Sequence, residues 1–310
     1  MSRPGLGAFG VEATPERPGP GPMPDALLRA LELTIGRRID GLLAGDHRSS
    51  LLGMGSELAQ IRAYQPGDDV RRIDWNVTAR TGIPHVRVHL AERVLVTWLV
   101  LDGSASMAFG TADRRKADVA AGVAFALGHA ASARGNRIGL VSFGGHGSVT
   151  MPPKQGRVGL VGLMLTLRDA GFARGLPIAD LAAALRRVGS IARQRALIVV
   201  VSDFRGLRNW QPSLLEIAGR HDVLAIEVRD PREQELPDIG EVAFVDPETG
   251  RQLRVDTRNR RLRERFAAAA MAERGEVARM ISAAGAGHKI LSTEGDWLRS
   301  LATYLKQRLR

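Results

Sequence analysis

One mostly apolar run, residues 94–101, limits the possible folds of this 310-residue chain more than any other stretch. It is too short to span a bilayer. Its length suits a strand buried on both faces, the kind found inside a parallel sheet covered by helices. The run ends abruptly in polar chemistry: Asp102, Ser104 and Ser106 supply one carboxylate and two hydroxyls. They fall where a central parallel strand gives way to a loop and helix, and ligands gather at such carboxyl ends. All three are hard oxygen donors of the type preferred by Mg²⁺ or Mn²⁺, and together they can take part of an octahedral shell. The remaining ligands have to come from elsewhere in the chain.

A second apolar run, 196–201, also ends in chemistry, at Ser202-Asp203. Around these two runs, strands and helices alternate. Helical patterns cover 116–134, 158–168, 178–192 and 259–284, and a terminal helix from Asp296 carries Trp297, Leu298, Leu301 and Leu305 on one face. Strand patterns cover 137–143, 223–228 and 288–291. Gly144-Gly-His-Gly147 turns into an antiparallel edge at 148–151, and 241–245 with 252–255 form a hairpin around Pro247-Glu-Thr-Gly250. Alternation of this kind implies an α/β fold with a doubly wound, mainly parallel six-stranded sheet. If the chain doubles back after the antiparallel edge, the strand order is 3-2-1-4-5-6. The first and fourth strands are then neighbours, and Asp203 converges on the crevice that holds Asp102, Ser104 and Ser106.

Ahead of this domain, residues 1–24 are rich in Gly and Pro and are expected to be disordered. Residues 25–93 form an accessory segment, and 94–310 the main domain. The accessory segment opens with a helix from Pro24-Asp25 to about residue 43, with Leu27, Leu28, Leu31, Ile35, Ile39 and Leu42 at helical spacing. Its densest polar signature contains Tyr64, Pro66, Gly67, Asp68, Asp69, Arg71, Asp74, Trp75 and Arg80. Pro66-Gly67 is a type II turn signal. The arginines and aspartates lie close enough to pair among themselves, as a brace for the fold or as a surface for a partner. The nearby His85 and His89 share a strand face at a spacing of roughly 13 Å, too far for one ion.

Composition removes several classes of function. Cysteine is absent, so disulfides, thiolate zinc, iron–sulfur clusters and cysteine nucleophiles are all excluded. No apolar run approaches the length of a spanning helix and no secretory leader is visible, so the expected location is cytoplasmic with no membrane span. The formal charge of +11 is carried almost wholly by arginine; Lys116, Lys154, Lys289 and Lys306 are the only lysines. The densest basic cluster, 251–265, holds seven arginines but no interleaved aromatics for base stacking, so no nucleic-acid partner is expected.

Asp102-x-Ser-x-Ser106 after a buried strand, with Ser202-Asp203 after a later one, resembles the von Willebrand factor A domain and its metal-ion-dependent adhesion site. Tyr64-x-Pro-Gly-Asp-Asp-x-Arg-x-Ile-Asp-Trp75, followed by Ala79-Arg80, resembles the signature of the domain-of-unknown-function 58 family, which couples such a segment to an A-like domain. The resemblance covers roughly residues 25–310. It implies a non-enzymatic protein–protein interaction module that works with a MoxR-type AAA+ ATPase in assembling or remodelling a client protein. It also implies a Mg²⁺ (or Mn²⁺) ion on Asp102, Ser104, Ser106 and Asp203. The family's second metal loop usually supplies a threonine. Here Ala179 stands in that place, and the neighbouring Asp180 is the side chain available to substitute for it. Two other classes compete: a metal-dependent hydrolase of the phosphatase type, which normally needs a second acid where Ser104 stands, and an arginine-rich nucleic-acid binder.

Overall fold

The computed structural model describes residues 19–23, 28–29, 52–90, 96–133, 135–145, 147–170, 180–245 and 251–307. Outside these lie most of the helix expected at 24–43, the Leu176–Ala179 part of the loop expected to complete a metal site, and residues 1–18 of the N-terminal tail. The chain divides into two compact units, Met1–Arg38 with Leu95–Arg310, and Ile39–Val94.

The smaller unit is built on two antiparallel strands, β1 (Leu52–Ala63) and β2 (His85–Leu90), with a short helix α1 (Trp75–Thr81) between them. Its tight turn is the one the Pro-Gly pair predicts. Asp68 N donates to Gln65 O at 3.0 Å, and Gly67 takes a φ of +105°, which a residue with a Cβ resists. Strand β1 departs from the sequence reading, which has no strand at 52–63. The segment Leu-Gly-Met-Gly-Ser-Glu-Leu-Ala carries no clean alternation, and its strand character comes from pairing with β2.

The larger unit holds the six-stranded sheet. In chain order it contains β3 (Val96–Asp102), α2 (Lys116–Ala133), β4 (Arg137–Phe143), β5 (Val149–Gln155), α3 (Gly156–Ala170), α4 (Leu181–Ile191) and β6 (Leu197–Ser202). These are followed by α5 (Gln211–Ala218), β7 (Asp222–Arg229), the hairpin β8 (Glu241–Val245) and β9 (Gln252–Asp256), α6 (Arg260–Ala283), β10 (Gly287–Ser292) and α7 (Trp297–Gln307). The sheet runs β5-β4-β3-β6-β7-β10, and only β5 is antiparallel. That is the expected order 3-2-1-4-5-6, with β3 and β6 adjacent at its centre. The fold is α/β, with a doubly wound, mainly parallel six-stranded sheet.

Both faces of the sheet are covered, which explains why its central strands read as continuous apolar runs rather than alternating ones. On one face Trp98, Val100, Ile198 and Val200 join Leu185 and Val188 of α4, Leu214 and Ile217 of α5, and Ile281 of α6 in a single core. On the other, α2 lies flat on β3 and β4, because its buried side is made almost entirely of Ala, Gly and Val. The terminal helix α7 buries Trp297, Leu298, Leu301 and Leu305, the four residues its spacing singles out. At the chain start, Trp297 Nε1 donates to Pro20 O at 2.8 Å, so residues 19–23 are held to this helix. The short helix α5 is missing from the sequence reading, since eight residues beginning Gln211-Pro212 give too little periodicity. Among the described residues no helix is long and apolar enough to cross a membrane.

The match of Trp98 to its neighbour yields a test. Trp98 pairs in register with Gly139, and a Cβ on that glycine would come within 2.7 Å of the indole ring. Gly139→Ala is expected to destabilise the protein by about 1–3 kcal/mol through overpacking, read as a lower midpoint in urea unfolding.

Candidate functional site

The carboxyl ends of β3 and β6 lie side by side, and the side chains that follow them meet. Asp102 is buried. Its Oδ1 accepts from Ser104 N at 2.9 Å, and its Oδ2 accepts from the hydroxyl of Ser202 at 2.5 Å. Ser202 Oγ in turn accepts from Phe204 N at 2.9 Å, so one hydroxyl pins both loops together. The hydroxyls of Ser104 and Ser106 lie 3.0 Å apart, and Ser106 also bonds the Asp203 carboxylate. The four residues expected to converge do so.

Phe204 follows Asp203 with a φ of +54°, in the left-handed region that non-glycine residues avoid. Its ring is buried edge-on against Trp210, with centroids 5.4 Å apart, and this packing holds the strained backbone that turns the Asp203 loop.

The charges in this crevice are not balanced pair by pair. Burial, reinforced by the nearby charge of Asp203, pushes the Asp102 carboxyl up to about 6. Burial works against ionising Asp203 too, but the Lys116 ammonium overcomes it and holds that carboxyl below the usual range. Lys116 is 0% exposed and sits at the start of α2. It donates to Asp203 Oδ2 at 2.6 Å and to Glu233 Oε1 at 2.7 Å. Burial opposes its charge, and the two carboxylates more than compensate, keeping it above the ordinary lysine value.

Glu233 also receives Arg205 Nη1 at 3.1 Å. Its Oε2 accepts from Asp230 N, closing a capping box on the 3-10 turn Pro231–Glu233. Asp230, fully buried, accepts from Thr111 N and Oγ1 and from Thr293 Oγ1, which ties the first loop to the ends of β7 and β10. A shallow open cleft adjoins Asp203, walled by Phe204, Arg205, Glu233, Gln234 and Arg274.

The donor set fits a hard divalent ion. Asp102, Ser104, Ser106 and Asp203 offer only oxygen, and they converge from two strand ends. Among the described residues no three His, Cys, Asp or Glu side chains gather as a metal site, so an ion here depends on the serine hydroxyls. Asp180 does not point into this arrangement through any of its recorded contacts. It is exposed, caps α4 through Ala183 N at 3.1 Å, and lies 3.7 Å from Arg186. Ala179 lies outside the described residues.

In the smaller unit the polar signature is largely spent on its own architecture. Arg62 and Asp68 form a two-pronged ion pair at 2.8 and 2.6 Å, and Asp68 also accepts from Gln65 N. Asp69 accepts from Arg71 N. Asp74 caps α1 through Asn76 N and Val77 N, and Arg80 Nε reaches Asn76 O. Pro66 and Gly67 make the turn, and Tyr64 N donates to Pro84 O at 2.8 Å. Trp75 stands out: at the first position of α1 it is 70% exposed, with Val70 and Ile83 also exposed.

Lys116, Glu233, Asp230 and Arg205 were not among the residues that sequence reasoning selected. For Lys116 a signal existed, because the chain uses arginine at nearly every basic position and lysine at only four. A lysine kept in so arginine-rich a chain is a position where the compact, three-donor ammonium differs from a planar guanidinium.

Residues 60–276 match the family described as "Protein of unknown function DUF58". The uncharacterized protein Rv1480 of Mycobacterium tuberculosis is 45% identical over 287 residues, spanning 92% of this chain and 90% of that protein. The uncharacterized protein MAV169 of Mycobacterium avium is 42% identical over 162 residues, covering 52% of this chain and 94% of its own length. Among solved structures, the conserved hypothetical protein BatB from Bacteroides thetaiotaomicron aligns over 69% of this chain and 98% of that chain, with a TM-score of 0.45 and 12% identity. The SpRpn10 VWA domain aligns over 68% and 94%, with a TM-score of 0.37 and 12% identity.

A buried charge outside the crevice makes the stability of the sheet depend on pH. Burial opposes ionising Glu227, but hydrogen bonds from His288 and Arg229 prevail and hold it below the ordinary glutamate value. Stability from a lowered carboxylate is present above its unfolded-state value and is lost as pH falls through the folded one. Glu227→Gln is expected to cost about 1–3 kcal/mol at pH 7. In denaturant titrations across pH, that difference from wild type should shrink below about pH 4.

Proposed function

The chain belongs to the DUF58 family, and from that premise we propose that it is a non-enzymatic protein-interaction module whose binding is centred on the crevice between β3 and β6. The carrying observation is the convergence of Asp102, Ser104, Ser106 and Asp203 from two neighbouring strand ends beside an open cleft. Asp102 and Asp203, with the hydroxyls of Ser104 and Ser106, are the residues that would hold Mg²⁺ or Mn²⁺. When bound there, the ion supplies a positive charge with room for a carboxylate from a partner.

Each protein group has its own part in that task. Ser202 orients the Asp102 carboxylate from behind, and Ser104 N fixes its other oxygen. Asp230 holds the first loop against the end of the sheet through Thr111. The resemblance of the 64–80 signature to its family supports a MoxR-type AAA+ ATPase as the working partner, with a client protein as the object of assembly or remodelling. The exposed Trp75 is the apolar side chain in that signature available to such a partner.

An interaction module is favoured over a phosphatase because the position two residues after Asp102 is Ser104, with no second acid to protonate a leaving group. The arginines of 251–265 support no nucleic-acid partner, since no aromatic platform is interleaved with them. The location consistent with this role is cytoplasmic.

Purified wild type and Asp102→Ala protein, each tested for capture of the MoxR-type ATPase with Mg²⁺ and with a chelator, provide the test. The expected outcome is capture that needs Mg²⁺ and weakens about tenfold or more in the variant. Equal capture by both proteins would sink the proposal.

A further inference from the structure

The crevice contains a feature that the metal reading leaves unexplained, a lysine sealed inside it. Lys116 Nζ has no exposure to solvent, stands 2.6 Å from Asp203 and 2.7 Å from Glu233, and has the Phe109 ring centroid 6.0 Å away. It is a protein-borne cation lying on one of the two carboxylates that would serve an ion. We infer that Lys116 is a resident counter-charge of the crevice that competes with a divalent ion for Asp203 and so keeps the ion affinity of the site low. The inference rests on the metal-dependent reading proposed above.

The two carboxylates are compensated differently. Asp203 has an ammonium on one oxygen and the Arg205 amide on the other at 3.0 Å. Among the described residues the hydrogen-bond partners of Asp102 are neutral: the Ser104 amide, the Ser104 side chain and the Ser202 hydroxyl. A dication drawn to Asp102 and the two serines therefore finds Asp102 free of any cation. The other carboxylate is already neutralised by a fixed positive charge, which also repels the newcomer across a poorly screened interior. Glu233 does not relieve that repulsion, because it is shared between Lys116 and Arg205, which lies 3.1 Å away.

The geometry leaves Lys116 no other place to put its charge. It starts α2 with its side chain wholly buried, and the acids it pairs with are Asp203 and Glu233. With the counter-charge in place, an ion gains full value from Asp102 alone. An acidic group from a partner would supply the second negative charge that Asp203 cannot give, which makes ion and partner bind better together than apart.

The experiment measures Mn²⁺ binding by titration calorimetry and thermal unfolding on wild type, Lys116→Met, and Lys116→Met combined with Glu233→Gln. The double variant frees Asp203 while leaving only one buried acid without its cation, so it keeps the comparison alive if the single variant does not fold. Wild type is expected to bind weakly. Both variants should bind at least about tenfold more tightly, and saturating Mn²⁺ should restore much of the thermal stability they lose. Tight binding by the variants with none by wild type supports the inference and counts against the metal dependence proposed for function. Wild-type binding tighter than about 10 μM, or variants that bind no more tightly than wild type, overturns the inference. Absence of binding in all three overturns both readings.

Discussion

Two carboxylates at the ends of neighbouring parallel strands repel each other, and burial leaves little water to screen them. Much of the larger unit follows from how that repulsion is contained. Asp102 is held by a hydroxyl and an amide, both neutral, whereas Asp203 is held by an ammonium. That ammonium is itself buried and needs more than one acid, which brings in Glu233. Glu233 is fixed by the capping box it forms with Asp230, and Asp230 is locked by Thr111 and Thr293. From Asp203 onward each member is paired with the next, whereas Asp102 has only neutral partners. Removing one partner from such a buried set leaves an unpaired charge and costs about 3–5 kcal/mol.

The same chain of contacts fixes the two loops of the crevice to each other. Ser202 bridges Asp102 and the Phe204 amide, and the strained backbone at Phe204 is held by its ring against Trp210. The Ser104 and Ser106 hydroxyls bond one another and Asp203, and the adjoining cleft reaches solvent. The hydrogen bonds that fix Asp102 and Asp203 are thus made within the fold itself. In the smaller unit, by contrast, Asp68, Asp69 and Asp74 are consumed by a turn, a cap and an ion pair. Among its described residues three large apolar side chains, Trp75, Val70 and Ile83, stand exposed.

Local pattern made the sheet legible. A strand buried on both faces must be apolar at every position, so β3, β4, β6 and β7 announce themselves without alternation, and connection rules then give their order. From that order the meeting of Asp102 with Asp203 follows before any side chain is placed. The elements that escaped are those whose conformation is imposed from outside. Strand β1 has a mixed sequence and is defined by its register with β2. Helix α5 is too short to show a period and is held by burying Leu214 and Ile217 in the core.

Sequence by itself determined the fold class, the strand order and the four oxygen donors of the crevice, because hydrophobic periodicity and the switch-point rule act on short stretches of chain. Tertiary structure alone decided the electrostatics. Lys116 lies 87 residues from Asp203 and 117 from Glu233, so nothing in its neighbourhood along the chain marks it as their counter-ion. Asp180 illustrates the converse, since its place in the sequence suggests a ligand while its oxygens serve the helix it caps and the arginine beside it. A charge acts through space over a few ångströms, and only the packed sheet determines which charges come that near.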